Sequence, residues 1–300
     1  LGIAYSASIG GAGTLVGTPP NALLAAFAQE QLGIELGFAK WMTIGLPVVL
    51  VMLPLAWLLL TRVTCPVARR PIPGADAIVK AEIAALGPMS VEEKRVLAVF
   101  VLTALSWIFR PLITNAFPSM GLTDSGIALI GALSLFIIPT NQGDNSSLMT
   151  WPRAVTLPWG VLLLFGGGLS LAHAISESGL ADTVGGGLSG LESFPTIVLV
   201  AAVTILIIFL TEITSNTATT AVFLPIVATV AVSAGIAPLD LAIPVALAAS
   251  CAFMMPVATP PNAIVFASEK LTVAHMAKAG FLLNLIAVAV IILITSVLPN

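Results

Sequence analysis

GlyThrProProAsnAla occupies residues 17–22, and AlaThrProProAsnAla occupies 258–263. The two copies lie 241 residues apart at the Pro-Pro step, and each sits inside a charge-free apolar run. Each is followed by an acidic residue (Glu30, Glu269), then by Ala-Lys (39–40, 277–278), then by a further apolar stretch. Agreement over so many positions is not chance: the chain contains a repeat. Proline lacks an N–H and clashes with the turn before it, so two in succession unwind a helix and free carbonyls nearby. Gly17 and Ala258, just before the prolines, leave room for a carbonyl to reach an ion. In lipid such a break is tolerated only where it lines a cavity or meets another polar surface. Two broken helices in one chain therefore predict that the breaks come together near mid-membrane.

That the apolar runs cross a membrane follows from composition. Hydrophobic residues make up 58% of the 300 and charged residues only 8%, against about 25% charged in a soluble domain. Mean hydropathy is +1.09. So few charges cannot cover a soluble surface, which would expose apolar patches and aggregate. A net charge of −3 leaves no basic face for nucleic acid. Cys65 and Cys251 are far apart and make neither a metal spacing nor a disulfide framework. Residues 41–61, 125–143, 193–211, 213–239, 241–268 and 279–300 contain no Asp, Glu, Lys or Arg. Each is near or above the ~20 residues that cross a bilayer as a helix. The runs are continuous rather than alternating, so they read as helices and not as barrel strands. The expected fold class is an all-α polytopic membrane protein with broken helices.

Lys and Arg set the orientation. Six of the eleven fall in 62–95 (Arg62, Arg69, Arg70, Lys80, Lys94, Arg95), which puts that loop in the cytoplasm, with an interfacial helix over 75–85. Spans over 96–115 and 122–140 lead to a second cytoplasmic loop, 141–157, holding Arg153. A span over 158–176 then reaches an outer segment, 177–193, with Glu177, Asp182 and Glu192 and no Lys or Arg. Lys270 and Lys278 belong to the cytoplasm, and the last span, 279–298, ends with the C-terminus outside. By parity, 194–234 leaves and returns on one side, as two spans or as one re-entrant hairpin, and the two repeats run in opposite directions. Inverted repeats place a transport site at the midplane, where interrupted helices meet. The expected division is 1–40 as the end of the first repeat, 41–95 as a scaffold span with its loop, and 96–300 as the second repeat, with the hairpin at 194–234 and a broken helix at 240–268.

The second repeat also carries ThrGluIleThrSerAsnThrAlaThrThr at 211–220, eight of whose ten residues are polar. Where two half-helices meet, orphan N–H and C=O groups face a short polar turn. Helix N-termini favour an anion and exposed carbonyls a cation. Ser215, Asn216 and Thr217 add hydroxyls and an amide without charge, which suits a carboxylate held by neutral donors and a Na⁺ held by neutral oxygens. The plainer alternative is hydroxyls that bond back to their own helix; so dense a polar run inside a span argues against it. Ser215 lies 44 residues before Thr259. The same spacing before Thr18 falls upstream of residue 1, which predicts that one hairpin lies outside this chain and that residues 1–300 alone do not transport.

The stretch TyrSerAlaSerIleGlyGlyAlaGlyThrLeuValGlyThrProProAsn (5–21), SerAsnThr (215–217), AlaThrProProAsn (258–262) and ProTrpGlyValLeuLeuLeuPheGlyGlyGly (158–168) resemble the divalent-anion:sodium symporters, bacterial relatives of the animal dicarboxylate and citrate carriers. The resemblance covers essentially the whole chain, as the C-terminal two-thirds of a typical member. It implies eleven transmembrane helices, two re-entrant hairpins, a homodimer and, for a bacterial member, the plasma membrane. It implies that Ser215, Asn216 and Thr217 contact substrate, with Thr18, Thr259 and Pro260 lining the same pocket. It implies one Na⁺ held by oxygens of Thr211, Thr214, Asn216 and Ala258, and another that uses Gly17 with partners outside this chain. The activity implied is Na⁺-coupled symport of small divalent anions, above all C4-dicarboxylates such as succinate. Sulfate, citrate and proton-driven or exchanging carriage are the rivals within transport. Na⁺ is the co-transported ion, and neither an organic cofactor nor enzymatic chemistry is expected. No Lys or Arg sits at either motif, so a dianion relies on the charge of Na⁺, which couples the two.

Other residues carry less. His173 is a lone intramembrane histidine, a proton-relay candidate for which a structural role is the better reading. Glu212, beside the polar tip, stands between a structural acceptor and a coupling group. The glycine runs at 166–168 and 185–187 suit close helix packing and are not phosphate loops, having no Lys-Ser or Lys-Thr after them. Arg110 reads as a span-end anchor. An intramembrane serine protease would need Ser189, in GlyLeuSerGly, with His173, and has no defined partner geometry.

Overall fold

A charge-free chain in lipid must satisfy its backbone within helices, and helix is what these runs form. The computed structural model describes residues 1–64, 66, 74–141, 146–157, 159–179 and 194–297. Cys65, Arg69, Arg70, Pro158, Asp182, the glycines at 185–187, Ser189 and Glu192 lie outside the described residues. Among the described residues, four helical stretches are long and apolar enough to span a membrane: Phe38–Thr64, Val91–Ala116, Asn216–Ser233 and Val273–Val297. The chain is an all-α polytopic membrane protein. It divides into two compact units, Leu1–Pro66 with Gly160–Asn300, and Val67–Trp159.

The larger unit holds both Thr-Pro-Pro-Asn motifs. α1 (Gly2–Ala12) ends before the first motif, and α2 (Pro19–Leu32) starts on it. α3 (Phe38–Leu58) follows and widens into a π-helical turn over Leu59–Thr64. Later in the chain, α8 (Gly160–Glu177) precedes α9 (Thr196–Thr211) and α10 (Asn216–Ser233), which are joined by the short turn 212–215. α11 (Pro238–Ala249) ends before the second motif, α12 (Pro260–Phe266) starts on it, and α13 (Val273–Val297) closes the unit.

The packing partners of the two motifs correspond. α1 packs on α12 and α11 on α2, so each broken helix lays its first half against the second half of the other. α3 lies against α1, α13 against α11, and α3 against α13. The core sits where these meet. Tyr5 and Phe253 are fully buried with ring centroids 5.3 Å apart, edge to face, and Trp41, Met52, Ile207 and Leu241 are equally shielded. Residues 41–61 and the terminal span pack with the hairpin and the broken helices. The reason is close approach: Gly45 on α3 and Gly280 on α13 lie directly against the backbone of Ala12 and Phe253, which the local sequence does not announce.

The smaller unit contains α4 (Ala75–Leu86), α5 (Val91–Ala116), α6 (Asp124–Ile137) and α7 (Trp151–Ala154). α4 matches the interfacial helix expected at 75–85. α5 starts with a capping box, in which Ser90 Oγ accepts from Glu93 N–H and the Glu93 carboxylate from Ser90 N–H. Arg110 near the end of α5 pairs with Asp124 at the start of α6 at 2.7 Å.

Candidate functional site

The two motifs fold alike down to single hydrogen bonds. Asn21 Nδ2 donates to Gly11 O at 3.3 Å and Thr14 O at 2.9 Å. Asn262 Nδ2 donates to Ala252 O at 3.2 Å and Met255 O at 3.0 Å. The separations are ten and seven residues in both copies, and the paired residues are 241 apart throughout. Each asparagine ties carbonyls at or beyond the end of the first half-helix, in the non-helical stretch, to the start of the second. The duplicated Asn, read from sequence only as part of a broken helix, is therefore a staple across the break.

The position of the prolines corrects the expectation that they unwind the helix and free carbonyls around them. Pro19-Pro20 and Pro260-Pro261 occupy the first two positions of α2 and α12. There a missing N–H costs nothing and the fixed φ is already helical. The non-helical stretches come before them, at 13–18 and 250–259. Thr18 and Thr259 are the extended N-cap residues. Thr259 Oγ1 accepts from Asn262 N–H at 3.3 Å, whereas Thr18 Oγ1 lies 3.3 Å from Ser250 Oγ of the other motif.

Gly17 serves a tighter purpose than leaving room for an ion. A Cβ there would overlap the carbonyl of Gly11 and crowd Thr14 Oγ1. Ala258, its counterpart, carries that Cβ and is buried. Forcing an atom into a filled space costs ~1–3 kcal/mol. Gly17→Ala is thus expected to lower the thermal unfolding midpoint in detergent clearly, and Ala258→Gly much less. Equal effects of the two substitutions would show that the first break is not packed this closely.

At the hairpin tip Ser215 is the N-cap of α10, its Oγ accepting from Ala218 N–H at 3.4 Å. Thr211 is fully buried. Its hydroxyl donates to Asn216 Oδ1 at 2.6 Å and lies 3.4 Å from Ala249 O at the end of α11. Three oxygens of different elements thus cluster at one point. Thr214 stands apart: its hydroxyl bonds Leu210 O at 2.8 Å and Thr219 Oγ1 at 2.7 Å.

Glu212 settles into one of its two candidate roles. Its carboxylate, 3% exposed, accepts from Phe253 N–H (2.7 Å), Met254 N–H (2.9 and 3.0 Å), Met255 N–H (2.9 Å) and Asn284 Nδ2 (2.7 Å). A carboxylate has about four lone-pair directions, and all are filled by N–H donors. Glu212 is a structural acceptor that holds the unwound turn 253–255 against the hairpin tip; no lone pair is left to ligate an ion.

A cavity of about 440 Å³ brings these pieces together. From the first motif it is lined by Gly17, Thr18 and Pro19, from the hairpin tip by Ser215, Asn216 and Thr217, and from the second motif by Ala258, Thr259 and Pro260. Every substrate-site residue expected from sequence is in its wall, as are the expected Na⁺ residues Gly17, Asn216 and Ala258. Thr211 reaches it through Asn216, and Thr214 is not in the wall. Ser8 and Ser250 line it as well and were missed. Their only sequence signal is a polar residue inside an apolar run, which is common in helix interiors. No ionisable side chain lines the cavity among the described residues. His173 is exposed on α8.

The family described as the sodium:sulfate symporter transmembrane region matches residues 1–298. The sodium-dependent dicarboxylate transporter SdcS of Staphylococcus saprophyticus subsp. saprophyticus is 44% identical over 296 residues, covering 98% of this chain and 57% of that protein. The protein of the same name in Staphylococcus aureus strain USA300 is 45% identical over 296 residues, with the same coverage. The chain therefore spans less than two thirds of the length of the curated relatives it matches. These relatives are named as transporters and not as enzymes. Broken helices paired by a common staple, a polar hairpin tip between them, and a match running from the first residue to 298 lead to one conclusion: the chain belongs to the sodium:sulfate symporter transmembrane family.

Proposed function

We propose that the cavity between the two Thr-Pro-Pro-Asn turns and the SerAsnThr tip is the binding site of a Na⁺-coupled symporter for small divalent anions, with C4-dicarboxylates such as succinate as the substrate class. The observation that carries this reading is the convergence of three helix starts on a cavity without an ionisable wall. Thr18, Ser215 and Thr259 are N-caps of α2, α10 and α12, and all three line it. Their hydroxyls, with the N–H groups of the first turn of α10, suit carboxylate oxygens, whereas α2 and α12 begin on Pro-Pro and have no N–H at their first two positions. Asn216 Oδ1, Thr211 Oγ1 and the carbonyls of the unwound stretches, Gly17 and Ala258 among them, suit Na⁺.

Magnitudes say which interaction dominates. A helix N-terminus contributes ~0.3–2 kcal/mol to a nearby anion. A Na⁺ about 4 Å from a carboxylate contributes ~4 kcal/mol at an effective dielectric constant of about 20. The dianion therefore binds well only with Na⁺ in place, and that differential is the coupling. The two broken helices are read as an inverted repeat, and α9–α10 as a re-entrant hairpin whose tip reaches mid-membrane. The C-terminus then faces outward, in a homodimer in the bacterial plasma membrane. The relatives named as sodium-dependent dicarboxylate transporters support both the ion and the substrate class.

Uptake of labelled succinate by the full-length protein in liposomes tests the reading. We expect accumulation with an inward Na⁺ gradient and little with K⁺ or a proton gradient alone. Unlabelled fumarate or malate in excess should suppress it, and sulfate should not. Uptake that ignores Na⁺, or that sulfate alone suppresses, would replace this function with one of its rivals.

A further inference from the structure

We propose that Asn284 on α13 is a positioning residue for the cation site at Thr211, Asn216 and Ala258, and that it acts through Glu212. The proposal rests on the reading of that cavity as a Na⁺ site. Asn284 lies in the apolar stretch PheLeuLeuAsnLeuIleAlaVal and is fully buried. An amide in such a place is costly unless it is hydrogen-bonded. Its Nδ2 donates to Glu212 Oε1 at 2.7 Å, while its Oδ1 has no partner among the described residues.

What Glu212 touches defines the effect. Apart from Asn284, its hydrogen-bond donors among the described residues are the N–H groups of Phe253, Met254 and Met255. Ala258 and Thr259 follow within four residues of that turn. On its other side Glu212 is joined through the backbone to Thr211, whose hydroxyl meets Asn216 Oδ1. Asn284 thus braces a side chain that fixes the spacing between the hairpin tip and the unwound stretch. Oxygen ligands from these two elements must close on one ion, so a shift of a few tenths of an ångström is felt in affinity.

Gly45 lies against Ala12 as Gly280 lies against Phe253. Four residues after Gly280 stands Asn284; four after Gly45 stands Val49, so α3 makes its close approach to the first break without an amide at that place.

The test is Na⁺ titration of the thermal unfolding midpoint of the purified full-length protein, without substrate and with choline as the ionic-strength control. Asn284→Leu should raise the half-saturating Na⁺ concentration roughly tenfold, equivalent to ~1.4 kcal/mol. The dicarboxylate concentration for half-saturation at excess Na⁺ should stay within about twofold of wild type. Glu212→Gln should raise the Na⁺ requirement at least as far, and the double variant no further than Glu212→Gln alone, because the two act in series. A well-folded Asn284→Leu with wild-type Na⁺ dependence, or additive effects in the double variant, would overturn the proposal. Should Asn284→Leu not fold, Asn284→Ser carries the same test with a rise of about threefold expected, and no rise overturns it. Hydrogen exchange of the wild type gives a check free of substitutions: amides 253–255 should be strongly protected, and free exchange there would refute the clamp. A wild type whose stability ignores Na⁺ removes the Na⁺ reading itself, an outcome visible before any variant is compared.

Discussion

Asn216→Ala in the full-length protein is expected to raise the half-saturating concentrations of Na⁺ and of dicarboxylate together, each on the order of ten- to hundredfold. Asn216 sits at the first position of α10 and in the cavity wall. Its Oδ1 accepts from Thr211 at 2.6 Å and belongs to the oxygen cluster proposed for the cation. Its amide NH₂ is the group on the same side chain that donates, and an anion is what it would meet. On the proposed reading, one residue would serve both ligands from opposite ends of one amide. A hydrogen bond to a charged group contributes roughly 1.5–3 kcal/mol, and every ~1.4 kcal/mol is a factor of ten. Thr217→Ala should separate the two ligands. Thr217 is buried and lines the cavity but takes no part in the oxygen cluster, so the dicarboxylate requirement should rise with little change for Na⁺. Uptake kinetics varied in both concentrations measure this. Unchanged dependences in a normally folded Asn216→Ala would remove SerAsnThr from the binding site.

Gly280→Ala is expected to be among the most destabilising single-methyl additions in the chain. In an ordinary helix the change from Gly to Ala stabilises by ~1 kcal/mol. At Gly280 the added Cβ would overlap the Phe253 carbonyl and the Met254 nitrogen. Those peptides cannot give way, because Glu212 holds their N–H groups and Asn262 holds the carbonyls on either side. α13 would have to withdraw, opening a gap along its buried face. Overpacking costs ~1–3 kcal/mol, and a backbone obstacle puts this site at the upper end, well above the gain in propensity. Gly166→Ala, on α8 with nothing near its Cβ direction, is the matched control and should be neutral or slightly stabilising. Thermal unfolding in detergent compares the two. A Gly280→Ala protein as stable as wild type would mean that α13 does not rest on the unwound turn.

The repeated Thr-Pro-Pro-Asn, the charge-free runs and the polar hairpin tip were legible in the sequence because each is a local property. Proline's missing N–H, the absence of charge over ~20 residues and the density of hydroxyls act on their own segment whatever surrounds it. They were enough to name the all-α membrane fold and to single out the two broken helices and the polar tip, while the grouping of Thr18, Ser215, Asn216, Thr217, Thr259 and Pro260 into one site came from the family resemblance. The tertiary structure decided what depends on partners distant in sequence. Whether a buried carboxylate such as Glu212 holds an ion or a turn is set by which donors reach it, and here they come from 41 to 72 residues away. That Gly17 and Gly280 must lack a side chain, that Asn21 and Asn262 are staples, and that 41–61 belongs beside the first broken helix are likewise matters of close approach between backbones. A sequence records which residue is small or polar, but only packing brings the neighbour that makes its size or its hydrogen bond necessary.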